Sequence, residues 1–251
     1  MSPGSALLLA AAGFAAGSIN AVAGGGSLVS FPALVASGLP PLAANVTNTV
    51  SVWPGYLGSV VAYRSEVAVQ RSRALALGAT AVAGGTAGSV ILLTVPDAVF
   101  EAVIPVLVLL GCALLAVQPR VAARIAARTA AGGRRRTADV HVATFAAAVY
   151  GAYFGGGLGV ILLAVLGIFL TDHLQRTNAL KSVLSLIINT VALVVFALFA
   201  PVDWGSVAVV APASLLGGYV GAGFARRLGA TTLRWTVIGF GVVVAIWLTL
   251  R

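Results

Sequence analysis

Residues 17–27 read GSINAVAGGGS, and residues 151–159 read GAYFGGGLG. Each stretch lies inside a long apolar run and interrupts it with three consecutive glycines, Gly24 to Gly26 and Gly155 to Gly157. Glycine adopts backbone conformations that other residues avoid, so a triple glycine is expected to interrupt a helix. The interpretation of the whole chain depends on these two breaks.

The composition predicts an integral membrane protein. Of the 251 residues, 60% are hydrophobic and only 8% are charged, whereas a soluble domain has about 25% charged residues. The 30 glycines agree with this prediction, because glycine is more frequent in membrane helices than in soluble ones. The net charge of +9 fits membrane orientation better than binding to nucleic acid, which is not expected as a partner.

Eight apolar segments follow one another along the chain. Six have the length of a single membrane span, for which about 20 residues are needed, while the first and fifth are longer and contain the glycine breaks. The segments are 5–36, 42–63, 74–94, 98–117, 141–170, 178–200, 204–225 and 232–250. One long polar connection, residues 118–139, contains six arginines and divides the segments into two groups of four.

The two groups repeat the same order of features. In each group, a glycine-broken segment is followed by polar residues at the start of the next helix. The matching residues are Asn45 and Asn178, Asn48 and Lys181, and Thr49 and Ser182. Each group then continues with two further spans, so the chain consists of two similar halves.

The distribution of Lys and Arg predicts opposite orientations for the two halves, because these residues collect in cytoplasmic loops. If all eight segments crossed the membrane, ten of the 15 would lie on one side and five on the other. If each glycine-broken segment enters and leaves on the same face, 14 of the 15 lie on one side and only Arg251 lies on the other. Each half then has three crossings, and an odd number inverts the second half.

We therefore predict an all-α integral membrane protein of two inverted repeats, each a glycine-broken re-entrant hairpin plus three transmembrane helices. Residues 1–117 form the first membrane repeat, 118–139 an Arg-rich cytoplasmic linker and 140–251 the second membrane repeat. Inverted repeats are common in secondary transporters.

The glycine breaks are the candidate binding site. Non-helical backbone at membrane depth persists only where it lines a cavity or is buried in protein, so the released peptide groups need a partner. A polar ligand is one candidate, and close helix packing against the glycines is the other. A half-helix that starts after a break offers free amides and the positive end of its dipole, which suits an anion. We expect these amides near Gly26 and Ser27 in the first half, and at Gly157, Leu158 and Gly159 in the second.

The predicted substrate-binding residues are the glycines of the breaks and the polar side chains near them. For each single polar side chain, the alternative role is a helix cap or a packing hydrogen bond. The residues are Asn20, Gly24, Gly25, Gly26, Ser27, Asn45, Asn48, Thr49, Gly155, Gly156, Gly157, Asn178, Lys181 and Ser182.

Lys181 is the most informative of these residues. A cation at membrane depth is costly, and it is a functional hypothesis by default. Lys181 lies three residues after Asn178, on the same helical face, and its counterpart in the first half is the neutral Asn48. The alternative is that the side chain extends to the cytoplasmic interface.

The sequence argues against several other kinds of functional site. All six Asp and Glu lie in or near predicted loops, which argues against a proton relay of paired carboxylates or a dedicated cation site. Neither glycine break is followed by the Lys-Ser/Thr of a nucleotide-binding loop, and no Ser-His-Asp spacing or metal-ligand cluster is present. We predict no enzyme activity, no metal and no cofactor.

The paired glycine motifs resemble those of the sulfite exporter TauE/SafE family, also called the 4-toluene sulfonate uptake permease family. The resemblance rests on residues 17–27, which lead to Phe31-Pro32-Ala33-Leu34, and on residues 151–159, and it covers nearly the whole chain. It implies a carrier of sulfite, sulfonates or sulfoacetate in the bacterial inner membrane. Pro32 has no equivalent in the second half, where Leu163 stands, so the two half-helices are not expected to be identical.

These inferences combine into one functional hypothesis, a secondary transporter that moves a small sulfur-containing anion by alternating access. The anion's oxygens would meet the amides at the breaks, with charge from Lys181 and hydrogen bonds from the asparagines. A passive anion channel and a membrane scaffold that docks partners through its Arg-rich linker are the alternatives. The expected partners are the anion and membrane lipid, and a homodimer is left open.

Overall fold

The computed structural model describes residues 2–22, 24–130, 137–170, 172–228 and 230–250, and these residues form helices and short connections without a strand. The described helices are α1 (Pro3–Val22), α2 (Ser27–Ala36), α3 (Pro41–Ala62), α4 (Arg64–Ala68), α5 (Arg71–Thr94), α6 (Asp97–Ala130), α7 (Thr137–Tyr153), α8 (Leu158–Phe169), α9 (Leu174–Phe199), α10 (Trp204–Leu228) and α11 (Ala230–Leu250). The predicted all-α class is confirmed.

Several helices have the length and apolar character of membrane spans. Within the described residues, four are long and apolar enough to cross a membrane, namely Pro3–Ala21, Arg71–Thr94, Asp97–Ala127 and Leu174–Phe199. Helix α3 has 22 residues but buries a row of polar side chains, and it is not among the four. An all-helical chain of this composition satisfies its backbone hydrogen bonds internally, as a membrane requires.

The triple glycines divide both long apolar runs into two helices. The run 5–36 becomes α1 and α2, and the run 141–170 becomes α7 and α8. Gly24 and Gly155 have φ angles of +79° and +77°, a region that residues with a side chain disfavour. The helices therefore end where the sequence places glycine.

Helices of the first half pack mainly against helices of the second. Helix α1 packs on α10, and α5 packs on α7. Small residues bring these helices together: a Cβ atom added to Gly217 would lie 2.1 Å from the carbonyl oxygen of Phe14, and one added to Gly84 would lie 2.6 Å from that of Phe145. Close packing through glycine is typical of membrane helices.

Helices α3 and α9 run antiparallel to each other. Near the start of α3, the Thr47 hydroxyl accepts a hydrogen bond of 2.9 Å from the backbone amide of Asp203, beyond the end of α9. Past the end of α3, the Gln70 side chain donates a hydrogen bond of 3.0 Å to the carbonyl of Arg176, in the first turn of α9. The start of each helix thus lies beside the end of the other.

The hairpin of α7 and α8 begins and ends beside the same part of α5. His141, near the start of α7, is hydrogen-bonded to Thr80 at 2.7 Å. Asp172, just after α8, forms an ion pair with Arg73. Thr80 and Arg73 both lie in the first half of α5, so the chain returns to the region from which the hairpin starts.

The connection between the halves is more helical than the sequence pattern indicates. Helix α6 continues through Ala130, so residues 118–130 of the predicted linker extend a membrane helix. This part is rich in alanine and arginine, and both residue types favour helix even where the segment is polar and exposed. The arginines 134–136 and Arg251 lie outside the described residues.

Candidate substrate site at the glycine breaks

The two glycine breaks are in direct contact with each other. The amide of Gly159, in the first turn of α8, donates a hydrogen bond of 3.1 Å to the carbonyl of Gly24. A Cβ atom added to either glycine would lie only 2.5 Å from the Cα atom of the other. The sequence pattern does not predict this contact, because it joins residues that are far apart in the chain.

The chain reverses in a similar way at each break. The amide of Gly24 donates to the carbonyl of Ile19 at 2.9 Å, and that of Gly155 donates to the carbonyl of Tyr150 at 3.3 Å. Both bonds span five residues, and both follow the last turn of the helix. The two breaks thus begin alike but end differently, since Gly26 has a φ angle of −60° and its counterpart Gly157 one of +78°.

At the first break, the side chain of Asn20 accepts a hydrogen bond from one of the backbone amides. Its Oδ1 atom accepts a hydrogen bond of 2.8 Å from the amide of Gly26. Its Nδ2 atom is buried and has no partner, and the amide of Gly25 has no acceptor among the described residues. The expectation that the Gly26 amide is free was wrong, because an internal carboxamide caps it.

At the second break, the Tyr150 hydroxyl donates a hydrogen bond of 2.5 Å to the carbonyl of Gly156. The predicted free amides of Leu158 and Gly159 are both occupied, by the carbonyls of Gly155 and Gly24. That part of the prediction was wrong, because local turn formation and the contact between the breaks use these donors.

The unoccupied donors of the second break lie one or two residues earlier. The amides of Gly156 and Gly157 have no acceptor in the part of the chain that the structure describes. Gly157 has a φ angle of +78°, which only glycine adopts easily. Together with the amides of Gly25 and Ser27, which likewise have no acceptor among the described residues, they form the set of backbone donors that remains available.

Asn45 links α3 to the second break. Its side chain is fully buried, and its Nδ2 atom donates a hydrogen bond of 2.9 Å to the carbonyl of Tyr153, the last residue of α7. Its Oδ1 atom is buried and has no partner. Asn45, which the sequence predicts to bind substrate, therefore contacts the second break and keeps one acceptor atom without a partner.

Two further candidates on α3 are already hydrogen-bonded within the protein. The Ser30 hydroxyl of α2 donates to Oδ1 of Asn48, and the Thr49 hydroxyl donates to the carbonyl of Asn45 at 3.1 Å. The first bond holds α3 against α2 and the second lies within α3, so the packing role left open for such residues applies to both.

Lys181 is buried in α9. Only 2% of its surface is accessible, so the side chain does not extend to the molecular surface as the interfacial alternative would require. No carboxylate of the described residues lies within ion-pair distance of it. No hydrogen bond among these residues connects it to the glycine breaks.

The other two candidates of α9 differ in exposure. Ser182 is buried, and its hydroxyl donates to the carbonyl of Asn178 at 2.9 Å. The Asn178 side chain is partly exposed. Of all the candidate residues, only Asn178 and Gly155 are not buried, so the arrangement as a whole is closed to the surroundings.

Tyr150 and Ser30 contribute to the site but were not predicted. Tyr150 bonds the second break, and the Ser30 hydroxyl contacts both the Gly26 carbonyl of the first break and Asn48. Ser30 lies four residues after Gly26, one helical turn beyond the break, and this spacing was a usable signal. Tyr150 has no comparable signal, because its bond depends on how the chain reverses after α7.

Comparison with known proteins agrees with a transport function. The model of the family described as sulfite exporter TauE/SafE matches residues 9–248. A probable membrane transporter protein of Haemophilus influenzae is 25% identical over 92% of this chain and 89% of its own length. A probable membrane transporter protein of a Sinorhizobium species is 26% identical over 94% of this chain and 88% of its own length. No solved structure matches the chain.

Proposed function

Because the chain belongs to the sulfite exporter TauE/SafE family, we propose that it moves a small sulfur-containing anion across the bacterial inner membrane by alternating access. The chain is a multi-pass membrane transporter, as its family and its relatives are. The anion is sulfite, a sulfonate or a compound similar to sulfoacetate. Alternating access means that the site opens to each side of the membrane in turn.

The buried Lys181 is the observation that carries this proposal. A lysine residue that is 98% buried and has no carboxylate partner among the described residues is energetically costly in its charged form. A bound anion would supply the missing negative charge. The free amides of Gly25, Gly156 and Gly157 support the same substrate class, because they offer donors and no negative charge.

The helix packing supports an inverted repeat. Exchanging α1, α2, α3, α5 and α6 for α7, α8, α9, α10 and α11 converts the pair α1–α10 into α5–α7, and the pair α3–α10 into α5–α9, all of which pack together. The pairs α3–α9 and α6–α11 are converted into themselves. The antiparallel course of α3 and α9 is what inversion requires.

Contacts at the two ends of the bundle suggest how access would alternate. At one end, Arg73 pairs with Asp172, and Gln70 bonds the α9 backbone. At the other end, Thr47 bonds the amide of Asp203. Rocking of one repeat against the other would break one set of contacts while the other set holds, which is the usual motion of inverted-repeat transporters.

Transport assays on reconstituted protein would test the function. Proteoliposomes should take up labelled sulfite with saturation, and sulfite on the inside should stimulate uptake by counterflow. A passive channel would instead conduct single-channel currents without counterflow. Absence of both activities, for sulfite and for sulfonates, would contradict the proposal.

Cysteine labelling would test the predicted orientation. We expect a cysteine at His173, which lies after α8, to react from the cytoplasmic side, and we expect the same of a cysteine at Ala127 in the Arg-rich linker. A cysteine at Ala98, in the first turn of α6, should react from outside. All three positions are exposed, and replacing Cys112, the one native and buried cysteine, by alanine provides the background.

The measurement is modification by a membrane-impermeant maleimide before and after the cells are permeabilised. The expected pattern is labelling of the Ala98→Cys variant in intact cells and of the other two only after permeabilisation. If the His173→Cys variant reacts as Ala98→Cys does, the hairpin crosses the membrane, and the inverted repeat fails with it.

A further inference from the structure

Two buried polar atoms of opposite character are left without partners at the glycine breaks. Nδ2 of Asn20 is a donor, and Oδ1 of Asn45 is an acceptor. Their residues are 3% and 0% exposed. A buried polar atom without a partner is costly and calls for an explanation.

The identity of each free atom follows from the bond that the other atom of the same side chain makes. The second atom of Asn45 bonds the Tyr153 carbonyl, which can only accept, so it must be nitrogen and the free atom must be oxygen. Likewise, the second atom of Asn20 receives the Gly26 amide, so it must be oxygen and the free atom must be nitrogen.

Both free atoms belong to one locality. Asn20 is fixed to the first break by Gly26, and Asn45 is fixed to the end of α7, immediately before the second break. The two breaks are joined by the hydrogen bond from Gly159 to Gly24. The two side chains are therefore anchored to parts of the chain that are in direct contact with each other.

We propose, resting on the transport function above, that the bound species is an oxyanion that keeps one proton, as hydrogen sulfite does. Its oxygens accept from Nδ2 of Asn20 and from the free amides of Gly25, Gly156 and Gly157. Its O–H group donates to Oδ1 of Asn45. A sulfonate or the sulfite dianion has no hydrogen to donate and would place an oxygen against the Asn45 oxygen.

The difference between these ligands is measurable. Leaving a buried acceptor unsatisfied, and facing it with another oxygen, reduces affinity by roughly 10- to 100-fold. Hydrogen sulfite and methanesulfonate form a suitable pair of probes, because both are monoanions with a sulfur centre and only the former carries an O–H group.

The test is a calorimetric titration of the purified full chain with each anion, at one pH at which hydrogen sulfite predominates. Wild type should bind hydrogen sulfite roughly 10- to 100-fold more tightly than methanesulfonate. The Asn45→Leu variant, which keeps the size but loses both polar atoms, should bind the two about equally. Thr144→Val is the matched control, since Thr144 is another buried residue with a partnerless oxygen and lies about three helical turns before Gly155; it should keep the wild-type ratio.

Each result has a distinct meaning. Equal binding of the two anions by wild type would overturn this inference and leave the transport function standing. If Asn45→Leu weakens the binding of both anions equally, the inference is likewise overturned, because a bound water molecule or packing then explains the buried Asn45 side chain. Failure of wild type to bind either anion would contradict the proposed function itself. If Asn45→Leu does not fold, the wild-type ratio still decides.

Discussion

Replacing Lys181 by methionine should reduce sulfite uptake by about 100-fold. The bound anion then lacks its positively charged partner, and the loss of such a partner reduces the binding free energy by several kcal/mol. The same substitution should make the empty protein more stable. Lys181 is 98% buried and has no carboxylate partner among the described residues, so methionine removes a desolvation cost and fills a similar volume. Uptake in proteoliposomes and thermal unfolding in detergent would measure the two effects.

The two expected effects, lower uptake and higher thermal stability, distinguish a role in binding from a role in holding the fold together. A lysine that merely holds the fold together would lower both uptake and unfolding temperature when replaced. Arg71→Met is the matched control, because Arg71 is exposed and its replacement removes the same charge from the surface without changing either quantity. Unchanged uptake by Lys181→Met would remove Lys181 from the site.

The position of Lys181 shows what the sequence could and could not resolve. Hydropathy places the start of the apolar segment at residue 178, which leaves Lys181 within a turn of the interface. Helix α9 in fact begins at Leu174, because the polar residues before Asn178 are compatible with helix and the Gln70 side chain bonds the carbonyl of Arg176 there. Lys181 is therefore about two turns inside the helix, and burial follows.

The glycine breaks were predictable because their cause is local. Three glycines in an apolar run interrupt a helix whatever surrounds them, and the helices end at Val22 and Tyr153 and resume at Ser27 and Leu158. The use of the released amides was not predictable in the same way. Whether an amide is free depends on Asn20, or on a residue from the other half of the chain, and no local pattern encodes such a contact.

In the linker, residues 118–139, the charge pattern did not predict the local conformation. Its charge predicts a solvated connection, yet alanine and arginine extend α6 to Ala130. Charge determines where a segment lies relative to the membrane, and helix propensity determines its conformation. The sequence supports the first of these inferences more strongly than the second, because a polar helix and a polar loop have similar composition.

Replacing Gly159 by alanine should destabilise the protein by about 1–3 kcal/mol, the usual cost of overpacking. The added Cβ atom would lie 2.5 Å from the Cα atom of Gly24, and backbone on both sides prevents an easy adjustment. The hydrogen bond from Gly159 to Gly24 would be lost as the breaks separate. Thermal unfolding in detergent would measure the stability, and uptake should fall in parallel because the free amides on the two sides move apart.

Two other glycines provide controls that isolate the contact between the breaks. Gly239 lies in α11 with no atom within 4 Å of an added Cβ, so Gly239→Ala should be neutral or slightly stabilising, as alanine favours helix. Gly38 has a φ angle of +104° and equally open surroundings, so Gly38→Ala should show backbone strain alone. If Gly159→Ala is as stable as Gly239→Ala, the breaks do not touch in the membrane, and a ligand cannot be held between them as proposed.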